Sequence, residues 1–329
     1  MLDLENVGAV KAHLSRRWSL WWRLKLSVGF RFYWLIALFA FSGGSLFADE
    51  PQSEWSVATY NVRNYLSQNR LVRGKWKEDY PKPEEEKQVV REIILEARPD
   101  FLALQEIGSD GHLRELQADL AKEGLHYKNR AILEASDPTR RVAALWNSEN
   151  RYRVHEHDDL EVKYFGEREG VKRGLLEIEF FDKSGAFSIF ILHLKSKYTT
   201  REDDPLSAKR RVLEARAVRD RILERYPDPH TARFFVVGDF NDTPDSAAIR
   251  AFEKRGKRKI CNRIPALDVS GTIWTHFYRK GGLYSCVDYL MRSEGWVGLE
   301  NAEARILSHP NFYVGSDHRL LLVEVPYLK

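Results

Sequence analysis

The sequence predicts a layered α/β core, and two observations carry that reading. Continuous apolar runs end abruptly in polar residues, and amphipathic helices with stop signals separate them. Residues 234–237 form the clearest run, closed by Gly238, Asp239, Asn241 and Asp242. Such a run fits a strand buried on both faces. Among the helices, Pro83 precedes Glu84, Glu85 and Glu86, acids that the helix dipole favours in a first turn. Val89, Val90, Ile93, Ile94 and Ala97 follow at helical spacing until Pro99 stops it. Residues 110–124 repeat the pattern with Leu113, Leu116 and Leu120, closed by Gly124. Residues 207–226, ended by Pro227, and 245–254 read as two further helices, while 137–140 and 167–173 read as loops.

The polar residues interleave with these elements along 329 residues, and no linker or internal repeat divides them. With 43% hydrophobic and 12% aromatic content, one domain over 49–329 has ample material for a core. Residues 1–48 read differently. Arg16, Arg17, Arg23, Lys25 and Arg31 precede an apolar stretch, 32–41, and small residues lead to Ala48 and Asp49. This order describes an export signal cleaved near Ala48, giving a periplasmic or secreted protein; an uncleaved membrane anchor is the alternative. The apolar core is shorter than the roughly 20 residues of a membrane span.

The formal net charge of +4 belongs to this segment. It holds six of the 52 Lys/Arg and two of the 48 Asp/Glu, which leaves 49–329 balanced. No global positive field argues for nucleic acid, so any steering is local. The basic run from Lys254 to Lys259 is one local cluster, read more plainly as a solvated loop than as a phosphate contact. Cys261 and Cys286 either pair or remain two separate buried thiols, a choice that spacing does not make.

Other apolar runs end as 234–237 does. Residues 57–60 deliver Asn61, 101–105 deliver Glu106, and 187–192 deliver His193 and then Lys195. The run 284–291 carries a single acid, Asp288, and Ser316, Asp317 and His318 precede the apolar 320–323. Buried backbone cannot leave such groups unsatisfied, so they should emerge at strand ends facing a cleft. One of them alone would pass as a strand cap or turn former. Together they suit phosphoester hydrolysis, which needs charge neutralisation, an activated water and donors for phosphate oxygens. Hard oxygen donors point to Mg2+, or Mn2+ or Ca2+, held first by Glu106 with Asn61 beside it. Asp317 either completes that shell or belongs to a second metal. No His/Cys cluster stands at zinc-finger spacing, which argues against a structural zinc.

In these residues the chain resembles the endonuclease/exonuclease/phosphatase superfamily, whose fold is that of pancreatic deoxyribonuclease. The motifs are TYNVRN, LALQEIG, ILHLKSK, VVGDFNDTP, CVDYLM and GSDHRLLL, spanning Thr59 to Leu322. The resemblance implies a four-layer sandwich of two packed mixed β-sheets flanked by helices. It implies that His318 faces the scissile phosphate with Asp288 accepting from its other nitrogen. His193 would contact the phosphate from the other side, as acid or electrostatic clamp. Asp239 would orient or deprotonate the attacking water, and Asn241 would hydrogen-bond the phosphate. Lys195, Lys197 and Arg63 are candidates for further phosphate contacts, with Lys197 read more plainly as a solvated strand-end lysine. In the pancreatic enzymes a glutamate supports the histidine matching His193, and Glu134 is the nearest candidate here.

Branch-specific segments narrow the resemblance. The tyrosine-proline-asparagine of abasic-site endonucleases is replaced by HLKSK, and the tryptophan-cysteine-aspartate-arginine of inositol polyphosphate 5-phosphatases is missing. HLKSK looks more like secreted bacterial nucleases. The expected activity is therefore metal-dependent hydrolysis of phosphodiesters, nucleic acid first, by a monomer with no protein partner indicated. A phospholipid or small-phosphoester phosphodiesterase or phosphatase of sphingomyelinase type is the alternative, with Trp274, Phe277 and Tyr278 as candidate lipid-facing aromatics. A non-catalytic binding module on the same fold is the minor one.

Overall fold

The computed structural model describes residues 54–326; the expected leader, 1–48, lies outside the described residues. Alternation along each strand builds the layers. In the Glu54–Tyr65 and Phe101–Ile107 strands, Val57, Phe101 and Ala103 face one way while Ala58, Leu102 and Leu104 face the other. The first set joins Ile189, Ile191, Phe235 and Val237 of a second sheet in a shared central core. The second set is covered by helices α1 (Glu84–Ala97) and α2 (Asp110–Lys122) through Val90, Ile94, Leu113 and Leu116. On the opposite outer face, Phe190, Leu192, Phe234 and Val236 pack against Val218 and Ile222 of α3 (Ala208–Arg225) and Ile249 and Phe252 of α4 (Ala247–Glu253). Helix, sheet, sheet, helix is the expected four-layer sandwich.

Both sheets are mixed. The seven-stranded sheet runs Ala266–Leu267, Ala304–Ile306, Leu321–Pro326, Glu54–Tyr65, Phe101–Ile107, Arg141–Trp146, Asn129–Leu133. The six-stranded sheet runs Asn262–Arg263, Asp288–Arg292, Arg233–Asp239, Gly185–His193, Leu175–Asp182, Arg151–His157. Each has a parallel pair at its centre, Glu54–Tyr65 with Phe101–Ile107 and Gly185–His193 with Arg233–Asp239.

Two expectations change and two open readings resolve. Glu167–Gly170, read as loop, pairs as a strand with Glu161–Tyr164. The run 284–291 is not one strand: Leu283–Ser285 pairs with His276–Tyr278 in a separate hairpin, and Asp288–Arg292 joins the sheet. Between them, the amides of Val287 and Asp288 both donate to the buried Thr275 hydroxyl, which takes the chain out of the ladder. Cys261 and Cys286 are free thiols, and burial raises both above the ordinary thiol range, Cys286 to about 11. The basic run 254–259 forms an exposed hairpin in which Arg255 pairs with Asp220 and Lys259 with Glu294, as a solvated surface would.

Gly238 fixes the register that matters most. It pairs with Leu192 at φ +139°, and a Cβ there would lie 2.1 Å from the Leu192 carbonyl oxygen, a backbone atom that cannot swing away. We expect Gly238→Ala to lower unfolding free energy by about 3 kcal/mol, read from the denaturant midpoint at unchanged slope. A loss within about 0.5 kcal/mol, the range of a surface change, would contradict this account of the glycine.

Candidate active site

Register alone lines up three polar side chains. His193 pairs with Asp239 across the parallel strands, and Asp239 pairs with Asp288 across the antiparallel ones. The two-residue period puts them on the same face as Ile191, Val237 and Leu290, toward the other sheet. From that sheet Asn61, in phase with Val57, meets them: its Nδ2 donates to Asp239 Oδ2 at 3.0 Å, while its Oδ1 accepts from Arg63 N. Glu106 lies where the ladder with the neighbouring strand shifts register, at φ +62°. A bulge of this kind re-aims a side chain, and its Oε2 accepts from Asn64 N at 2.9 Å. Arg63, Asn64 and Asn241 also have positive φ, so unusual backbone clusters at these strand ends.

Asp239 is the hub. Its Oδ1 accepts from Asn241 N at 2.8 Å, and its Oδ2 accepts from Asn241 Nδ2 at 3.2 Å. The same Oδ2 lies 3.4 Å from His193 Nε2 and 3.9 Å from His318 Nε2. His318 Nδ1 in turn reaches Asp288 Oδ2 at 2.9 Å, which leaves Nε2 as the working nitrogen. Ser316 holds the loop in place: its hydroxyl donates to Asn61 O and accepts from His318 N.

The two imidazoles are tuned in opposite directions. Burial lowers His193 well below its ordinary value, and the charges of Arg173, His318, Arg140 and Lys195 add to this, so the ring is neutral. Burial also opposes the His318 imidazolium, but the Asp288 and Asp239 carboxylates overcome it and lift the ring to about 10. Asp239 is raised, chiefly by burial, with the His318 charge opposing.

Glu106 opens onto a cleft of about 410 Å3 lined also by Asn64, Asp137, Arg140, Lys172, Arg173, Lys195 and Tyr198. Arg173 is only 7% exposed; its Nη2 pairs with Asp137 at 3.1 Å, while Nε and Nη1 are buried with no hydrogen-bond partner among the described residues. A buried guanidinium with two idle nitrogens is suited to an oxyanion. Beside it burial lowers Lys195 to about 8, and its Nζ donates to Ser196 O at 3.1 Å. A larger cavity of about 780 Å3, mainly apolar, opens at the sheet edges behind Asp288 and contains neither Arg173 nor Lys195 nor Glu106.

The expected residues are therefore mostly together. Asn61, His193, Asp239, Asn241, Asp288 and His318 form one connected set, with Glu106 and Lys195 on the adjoining cleft. Asp317 stands at the edge of this set: its carboxylate lies 3.7 Å from Arg63 Nε and 3.9 Å from His276 Nε2, and within 4.8 Å of a His318 ring nitrogen. Glu134 does not support His193. It is a largely exposed partner of Arg141, and His193 Nδ1 is buried without a partner. Arg140, Arg173, Thr275 and His276 were not picked out from the sequence, since they sit in loops or a short hairpin with no periodic signal. As to the metal, Glu106 and Asn61 supply hard oxygens, and among the described residues no hydrogen bond engages Glu106 Oε1, so the donor set fits such an ion.

The Endonuclease/Exonuclease/phosphatase family matches residues 58–318, and the chain belongs to that family. Among solved structures it resembles a beta toxin from Staphylococcus aureus with bound magnesium ions (TM-score 0.58, 12% identity, 83% of this chain and 100% of that one). It also resembles the human Nocturnin catalytic domain with bound sulfate anion (0.54, 18%, 82% and 92%). A third likeness is truncated TDP2 from Caenorhabditis elegans (0.55, 18%, 83% and 98%). No curated protein matches the sequence.

The opposed tuning can be read directly. We expect the His318 ring, followed by NMR in metal-free protein, to stay protonated well past neutrality and to titrate near pH 10. Asp288→Asn removes the largest raising influence and should drop that titration toward the ordinary imidazole value. An unchanged titration in the folded variant would contradict the pairing.

Proposed function

We propose that this chain is a divalent-metal-dependent phosphodiesterase acting on nucleic acid. The observation that carries the reading is the unbroken series Asp288, His318, Asp239, His193, set beside a buried guanidinium with two unpartnered nitrogens. Members of the family hydrolyse phosphoesters with a divalent metal, which supports it.

The residues divide the work by their charge states. Asp288 holds His318 Nδ1, so the proton on Nε2 is available to the leaving oxygen as the bond from phosphorus to that oxygen breaks. Asp239 orients the attacking water and accepts its proton while the new bond from oxygen to phosphorus forms. Neutral His193 and the Asn241 amide donate to non-bridging oxygens, and Arg173 and Lys195 offset the phosphate charge. Glu106 and Asn61 would hold the metal, which supplies neutralisation of charge developing at the phosphate.

One feature favours a second reading, a phospholipid headgroup as substrate. The hairpin beside His318 exposes Tyr278 (49%), Leu283 (62%) and Tyr284 (60%) around Arg279 and Lys280, an amphipathic surface that suits an anionic lipid interface. Trp274 is less suited to that role, since it is half-buried between Tyr284, Phe312 and Arg319.

A panel of duplex DNA, single strands, RNA, sphingomyelin and inositol phosphates, each with magnesium and with chelator, tests both. We expect nucleic acid to be cut only with magnesium, and Glu106→Gln to lose far more than tenfold, about 1.4 kcal/mol of barrier. Turnover of sphingomyelin with every nucleic acid intact would replace the first reading by the second. Full activity in chelator would remove the metal from the account.

A further inference from the structure

His276 enters none of the steps above, yet its ring lies against that of His318, tilted by 42° with centroids 4.5 Å apart. An isolated antiparallel bridge joins the two residues, fixing that approach through the backbone. One ligand atom each from His276, Asp317 and His318 lies within 4.8 Å of the others. Each histidine already has one nitrogen engaged. His318 Nδ1 is held by Asp288 at 2.9 Å, and His276 Nδ1 meets the Ser285 hydroxyl at 3.3 Å. The Nε2 atoms are thereby left for a ligand, and His276 Nε2 already stands 3.9 Å from Asp317 Oδ2. A histidine whose far nitrogen is fixed by a carboxylate or hydroxyl is the usual arrangement around a bound metal.

The geometry points to a second metal site, His276–Asp317–His318, built for a borderline transition ion of the zinc class rather than for magnesium. Two imidazoles and one carboxylate match that donor preference, whereas magnesium keeps to oxygen. Metal–ligand distances of about 2.0–2.2 Å require the three atoms to close by roughly one ångström. Side-chain rotation supplies this, with Arg63 giving up Asp317 and remaining over the Tyr313 ring. Three protein ligands leave the fourth position of a tetrahedral ion open to water. Its ligands come from two segments far apart in the chain, so no zinc spacing marks the site in the sequence.

Occupancy has a consequence for the proposed reaction, and only this part rests on that reading. An ion on His318 Nε2 occupies the atom that carries the proton, so zinc turns the enzyme off without displacing magnesium from Glu106.

Titration of the full chain with Zn2+ in saturating magnesium, by calorimetry, tests the site independently of turnover. We expect one zinc per chain, bound at least tenfold more weakly by His276→Asn and by His276→Gln, with folding checked by thermal unfolding. Asp288→Asn should weaken it by about 10- to 100-fold, the usual effect of losing the group behind a ligating histidine. Cobalt, as a coloured stand-in, should show the spectrum of a four-coordinate nitrogen–oxygen site that both His276 variants lose. No zinc bound, or equal affinity in folded His276 variants, would overturn the site. Binding as expected with unimpaired hydrolysis at saturating zinc would overturn the inhibition alone and point back to the role given to His318.

Discussion

One buried carboxylate, Asp239, organises the rest of this structure. A carboxylate removed from water must be compensated by donors or charges, and here they come from both sheets. Asn61 reaches it from the seven-stranded sheet, Asn241 folds back from the turn that follows it, and the Nε2 atoms of His193 and His318 stand on the same oxygen. The hydrogen bond from Asn61 to Asp239 therefore joins the two halves of the sandwich where the cleft opens. Gly238 makes this possible by letting the strand pass close against Leu192 immediately before the carboxylate.

Charge at the cleft is sorted by position. His318 has carboxylates on both nitrogens and becomes a stable cation; His193 has guanidinium and ammonium groups nearby and stays neutral. Two identical side chains thus take different states within 3.9 Å of one acid. Arg173 brings positive charge to the cleft that Glu106 also lines, with Nε and Nη1 themselves buried and without a hydrogen-bond partner among the described residues. The formal charge of 49–329 is balanced, so positive potential at the cleft depends on these few groups.

The layers and the strand ends were legible in the sequence because burial forces apolar runs and abrupt polar stops. α1 through α4 fall close to the expected limits for the same reason. Within the site, Asn61, Glu106, His193, Asp239 and His318 announce themselves as polar exits from such runs. The pairing of Asp288 with His318 came only through the resemblance, since thirty residues of chain separate them. Arg173 and Arg140 were hidden because loops carry no periodicity, and His276 because its hairpin has only three residues per strand. Glu134 was offered only by the resemblance, as the nearest glutamate to support His193, and it turns outward to Arg141 instead.

The most direct test of this arrangement is a double-mutant cycle on His193 and His318, measured as single-turnover rates with magnesium and the best substrate. If both rings serve one phosphate around Asp239, each alanine substitution lowers the rate by roughly 10²- to 10⁴-fold. The double variant then falls well short of the product of the two losses. Near-native turnover in a folded His318→Ala protein, or losses that multiply in full, would contradict the account.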